Sequence, residues 1–133
     1  MKLSPEAGYV IQVHVAAHML EQPEGSRWHA LFPIRFGGEG KTAALRDHLF
    51  ELRKKGFNRL FQNGRMFEFS TPESLLDIDF GQPLYALVDR LVLSSGLHQR
   101  LVDTVEICYR EAGEVIFEQP GGSEAGRLRF SES

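Results

Sequence analysis

The stretch "KTAALRDHLFELRKKGFNRLFQNGRMFEF", residues 41–69, does most to constrain the fold of this chain. Leu45, Leu49 and Leu52 recur at i, i+4 and i+7, the period of a helix with one buried side. Arg53, Lys54 and Lys55 follow at the end where a helix dipole favours cations, and Gly56 supplies the stop. The pattern then turns at once to two short strands, 57–69, around Asn63-Gly64. That dipeptide is the strongest short-range hairpin signal, because both residues accept the positive φ of a tight turn. A helix feeding an antiparallel hairpin puts α and β elements into one fold.

The remaining segments extend this pattern. "SPEAGYVIQVHVAAHML" reads as a helix with Ser4 as cap, Pro5 at the first position and a stripe of Val10, Val13, Ala17 and Leu20. "QPEG" at 22–25 stops it. "SRWHALFPIRF" (26–36) reads as a strand with Trp28, Ala30 and Phe32 on one face, and Pro33 marks an edge or a bulge. "LYALVDRLVL" (84–93) is apolar on both faces, as in a central strand. Asp89 and Arg90 are its only charges, and alternation sends them to opposite faces. "SSGLHQRLVDTVEICYREAG" (94–113) is a third helix, with Leu97, Leu101, Val105 and Cys108 as its stripe, Ser94-Ser95 as caps and Gly113 as its end. "EVIFEQ" and "GRLRFSE" are closing strands around the turn "PGGSEAG". The expected fold class is α+β: a single domain over 1–133, a mixed, mostly antiparallel sheet with about three helices packed on it.

Length and composition agree. At 133 residues one buried core is feasible without metals or disulfides. The net charge of −3 argues against a domain whose main task is to grip a nucleic-acid backbone. A single cysteine, Cys108, excludes an internal disulfide and a cysteine-built zinc site, and a reduced, cytoplasmic setting is expected. No apolar run approaches a membrane span.

Catalytic motifs fail on spacing. "RFGGEGKTAAL" imitates a phosphate loop, but G-x-x-x-x-G-K-[ST] needs a glycine five positions before Gly40, and Arg35 stands there. Glu39 would also point a negative charge at the anion. His14 and His18 have zinc-protease spacing, but Val15 replaces the glutamate base. Cys108 lies on an apolar stripe, and Asp77 and Asp79 lie in a polar connection. Catalytic, cofactor and metal residues are therefore expected to be none. Arginines on strands say more. Arg90 interrupts the most apolar strand, where a charge must reach solvent or a carboxylate. It is either one half of an internal pair or an anchor on a protein-binding face.

Several stretches in order resemble one family. "LEQPEGSRWHALFPI", "LFELRKKGFNRLFQNGRMFEF", "LVDRLVLSSGLHQRLVDTVEICYREAGEVIF" and "LRFSES" are similar to consecutive parts of UvrA, a component of the bacterial excinuclease. The resemblance covers residues 4 to 133 and rests on order and spacing. It implies a non-catalytic interaction domain that docks UvrB in nucleotide excision repair of DNA damage. In that family the domain is an insertion in a larger multidomain ATPase whose ATP and zinc sites lie elsewhere. The family's UvrB-contacting arginines carry over to Arg59 in "GFNR" and Arg90 in "LVDR", with Asp89 beside the latter. DNA would be met only through the parent complex, and the isolated domain is expected to be a monomer. The sequence departs from the family at "FGQP" in place of a lysine-rich run, at Asn63 for an aspartate, and at Ile107-Cys108 for Thr-Ala. The alternative is direct DNA binding, with Phe57, Phe61 or Phe67 as stacking partners beside the arginines.

Overall fold

A computed structural model describes residues 5–35, 41–69, 73, 76, 78–79, 81–120 and 126–131. Among these, three α-helices and six strands follow in the order α1 (Pro5–Leu20), β1 (Arg27–Pro33), α2 (Lys41–Lys54), β2 (Arg59–Gln62), β3 (Arg65–Glu68), β4 (Tyr85–Val92), α3 (His98–Ala112), β5 (Glu114–Glu118) and β6 (Arg127–Ser131). The strands form one sheet in the order β3-β2-β4-β1-β5-β6. Every pairing among them is antiparallel. The fold is α+β, as expected, and its sheet is simpler than the mixed one anticipated.

The helices cover one face of the sheet. Leu45, Leu49 and Leu52 of α2 and Leu101, Val105 and Cys108 of α3 are all buried there. They meet Trp28, Ala30 and Phe32 of β1, which do share a face. Each such large side chain contributes about 1.5–3 kcal/mol when removed from water. Of the stripe expected on α1, Val13 and Leu20 are half-buried and pack against the core, Ala17 is exposed, and the side chain of Val10 lies outside the described residues; within 11–20 the buried residues are Val15, Ala16 and Met19. An alanine exposes little apolar area, so the helix turns its larger Met19 inward instead.

Local signals set the turns. Asn63 (φ 52°) and Gly64 (φ 75°) both have positive φ, as a two-residue hairpin with this twist requires. Gly113 closes α3 in the left-handed region, its N–H donating to the Tyr109 carbonyl at 2.8 Å. The cap expected at Ser94-Ser95 is not made, and Ser4 lies outside the described residues. Ser94 precedes a single 3-10 turn at 95–97 without a side-chain cap bond, and its carbonyl accepts from the Leu97 N–H instead. The turn before α2, 36–40, and most of the closing glycine-rich turn, 121–125, lie outside the described residues. Asp77 lies outside them too.

Pro33 does not mark an edge. β1 runs between β4 and β5. Its ladder with β5 ends at Leu31, so the missing Pro33 N–H costs no bond on that side. The bulge lies in the neighbouring strand. Ala30 pairs with Asp89 and Leu31 with Leu87, so β4 carries one extra residue, Val88. Before the bulge, Leu84, Ala86 and Val88 pack toward the helices; after it, Leu91 and Leu93 do. The bulge reverses the alternation and moves Arg90 to the face without helices.

On that open face Leu31, Phe61, Leu87 and Ile116 form a second small cluster. Met66 and Tyr85 pack against it. Arg127 lies over the Tyr85 ring at 5.1 Å and donates to its hydroxyl at 2.6 Å.

Candidate functional site

The β4 bulge and the start of β2 bring the charged residues together. Arg59, Asp89 and Arg90 line one shallow depression of about 340 Å³ with Arg100 of α3, Gly56, Asn58, Leu87 and Val88. Arg59 enters it because Gly56 (φ 100°) ends the α2 turn and Phe57 donates its N–H back to Leu52, aiming the chain into β2. Three arginines and one aspartate therefore contribute to its lining.

Asp89 and Arg90 face opposite sides, as alternation predicts for neighbours. Asp89 turns toward α3, where Arg100 Nε donates to Oδ2 at 2.7 Å and Nη2 to Oδ1 at 2.6 Å. Such a two-point pair is the strong form of a guanidinium–carboxylate contact. It holds the Arg100 guanidinium above its ordinary pKa, through the hydrogen bond first and the charge second. The internal pair in this strand thus belongs to Asp89. Arg90 is exposed, and its Nη2 donates to Met66 Sδ at 2.8 Å. Arg59 is exposed as well, opposite Glu68 across the hairpin. Among the described residues neither Arg59 nor Arg90 forms an ion pair within 4 Å.

Two further features escape a reading of the sequence. Val92 follows Arg90 on the same face of β4 and is 55% exposed. His29 lies opposite Arg90 across the β1–β4 ladder, with its ring edge-on to Phe61. Its Nδ1 is buried without a hydrogen-bond partner among the described residues. Burial, and then the Arg90 charge, hold its pKa below the ordinary 6.5.

The other candidates do not assemble. His14 and His18 are exposed on α1, and His18 packs edge-on against Phe130. Asp79 Oδ1 accepts from the Gly81 N–H at 2.9 Å, a turn contact. No group of three metal-ligating side chains occurs among the described residues. Cys108 is buried, and burial pushes its thiol pKa up, the reverse of a nucleophile's setting. The three phenylalanines considered as base-stacking partners are engaged in packing. Phe57 meets Phe32 edge-on, Phe61 is buried, and Phe67 packs on the core beneath Arg65. No described helix is long and apolar enough to cross a membrane.

Fold and depression together define a class: a small α+β module that presents a shallow, cationic surface. A family model described as the UvrA interaction domain matches residues 12–120, and the chain belongs to that family. It is similar to UvrABC system protein A of Brucella abortus biovar 1, 33% identical over 113 residues, covering 82% of this chain and 11% of that protein. The same protein of Rhizobium meliloti is 33% identical over 109 residues, covering 79% and 11%. That of Rickettsia typhi is 33% identical over 107 residues, covering 77% and 11%. The chain thus spans about a tenth of the length of these relatives.

Proposed function

We propose that this chain is a docking module that binds UvrB during nucleotide excision repair, with Arg59 and Arg90 as its anchors and Asp89 between them. One observation carries the assignment. Two arginines thirty-one positions apart in the chain, on different strands, line the same depression with their charges unpaired among the described residues. Exposed Val92, two residues after Arg90 on the same strand face, adds the apolar contact that commonly accompanies an arginine anchor in an interface. The charge balance favours an acidic segment of the partner. No catalytic step is assigned to the chain; ATP and zinc chemistry belong to other parts of a parent protein, and DNA is met through the parent complex.

Titration calorimetry with UvrB from the same organism tests this. Arg59→Ala and Arg90→Ala should each weaken binding by about 2 kcal/mol or more, the usual cost of truncating a desolvated arginine anchor. Both side chains are exposed, so the unfolding midpoint should stay close to that of the parent. Undiminished affinity in both variants refutes the assignment.

A further inference from the structure

Arg27, the first residue of β1, lies on the same face of the sheet as Arg59 and Arg90. Its neighbour Trp28 is buried under the helices, so alternation turns Arg27 to the other side. Leu60 and Leu91, beside Arg59 and Arg90, are buried under the helices in the same way. In the β1–β4 ladder Arg27 pairs with Val92, and His29 pairs with Arg90. Arg27 therefore stands one rung beyond Arg90 on that face, about 7 Å along the strands. Neither neighbouring strand offers it a carboxylate. Val92 is apolar, and the β1–β5 pairing runs only from His29 to Leu31, so no β5 residue stands opposite Arg27. Arg27 is exposed and forms no ion pair within 4 Å among the described residues.

The strand arginines of this face divide into two groups. On β6, Arg129 is bound to Glu114 at 2.6 Å, and Arg127 to the Tyr85 hydroxyl at 2.6 Å. On β1, β2 and β4, Arg27, Arg59 and Arg90 have no anionic partner among the described residues. Those three strands are neighbours in the sheet, in the order β2-β4-β1. Arg90 leans toward β3, away from Arg27, where its Nη2 reaches Met66 Sδ at 2.8 Å. Val92, opposite Arg27, is left 55% exposed.

We propose that Arg27 and Val92 extend the docking face beyond Arg90: Arg27 is a third cationic anchor, and the occupant is an acidic segment of UvrB that crosses β2, β4 and β1 with a carboxylate for each arginine and an apolar side chain on Val92. The inference rests on the docking assignment above and gives the docked segment a direction across the sheet. A chain of net charge −3 has carboxylates to spare, and it uses them on Arg35, Arg100 and Arg129. Three arginines on adjacent strands are left for anions from outside. Val92 flanks two of them, opposite Arg27 and two residues after Arg90. That is the arrangement of an interface patch, with apolar area bordered by charge.

The test is calorimetry of the full chain with purified UvrB at physiological salt, with thermal unfolding of every variant. Arg27→Glu should bind about tenfold more weakly or worse, because it sets a like charge against the acidic segment. Arg46→Glu is the control for net charge. Arg46 is also exposed, but on α2, and its variant should stay within about twofold of the parent because a distant exposed charge is screened. Val92→Glu should lose affinity as Arg27→Glu does, and Val92→Lys should retain more than Val92→Glu, because the sign of the added charge decides. All three side chains are exposed, so the unfolding midpoints should stay near that of the parent. Where Arg27→Glu lowers the midpoint, Arg27→Gln stands in, with an expected loss of about threefold. The proposal is overturned if the Arg27 variant binds like the parent, if Arg46→Glu loses as much as Arg27→Glu, or if Val92→Lys loses as much as Val92→Glu. Arg59→Ala and Arg90→Ala separate the two claims. Undiminished binding in both removes the docking assignment, and the proposal with it; loss in them with none in the Arg27 variant removes the proposal alone.

Discussion

Single residues in this domain differ in how openly the chain displays their roles. Cys108 sits on an apolar stripe at helical spacing, and that is enough to place it in the core, where it is fully buried. It should stay silent to a thiol reagent in the folded chain and react only as the chain unfolds; rapid stoichiometric labelling under native conditions would contradict this. His29 carries no motif, and its surroundings are visible only in the sheet. Its pKa is lowered in the folded state, so folding favours the neutral ring. The unfolded chain then takes up a proton first as the pH falls below about 6.5, and stability falls with it until the folded pKa is passed. Above that window the contribution is fully present. The unfolding midpoint of the parent should therefore drop between pH 7 and pH 6 more than that of His29→Gln, as followed by circular dichroism. Equal slopes would show that the imidazole is not held neutral. Arg59 and Arg90 are legible as charges in apolar strands and through their motifs. Arg100 is not, because one arginine on the exposed side of a helix looks like any other until Asp89 is seen beneath it.

Elements are legible where their cause is local. Leu45, Leu49 and Leu52 announce α2 by spacing alone, and all three are buried. Asn63-Gly64 announces the hairpin, because few other pairs tolerate two positive φ values in succession. Gly64→Ala should cost about 1–2 kcal/mol in urea unfolding, the penalty for a Cβ in the left-handed region. Gly96→Ala is the control: that glycine has no positive φ, and nothing lies within 4 Å of an added Cβ. Equal losses at both sites would mean that the turn geometry is not what matters. What stays hidden in the sequence depends on partners distant in the chain. An uninterrupted β4 would put Arg90 on the same side as Ala86, under the helices. The extra residue Val88 against β1 reverses this, and no turn residue marks the place. Likewise the burial of Val15, Ala16 and Met19 in α1 follows from its packing on α3, not from the helix's own period, in which apolar residues run nearly all round.

Across the whole molecule, the one-sided helix layer explains why charge is organised on the other side. No described helix lies over the other face, and its small apolar cluster is flanked by long side chains: Arg127 on Tyr85, Arg90 on Met66. Beyond β5 the same device becomes a staple. Glu114 is almost wholly buried, with 6% of its side chain exposed, and it receives Arg129 at 2.6 Å and Arg35 at 3.0 Å. Arg35 also donates to the Ala112 carbonyl at the end of α3 at 2.9 Å. One carboxylate thereby joins the segment after β1, the end of α3, β5 and the edge strand β6. The two arginines are about 60% exposed, so each is well solvated when its partner is lost, and each alone should matter little. The carboxylate has no such recourse, but it retains one arginine when the other is removed. Glu114→Ala should therefore destabilise the chain by about 1–3 kcal/mol, because it breaks the charge-assisted bonds to Arg35 and Arg129 together. Arg35→Ala and Arg129→Ala should each cost under about 1 kcal/mol, while the double variant, which strands the buried carboxylate, should exceed the sum of the two. Urea unfolding of the four variants decides it. Strict additivity of the arginine variants would show that the carboxylate reaches water by another route and that the staple is not shared. The UvrB docking proposed above should survive Glu114→Ala wherever the chain remains folded, because the staple lies on strands away from Arg59 and Arg90.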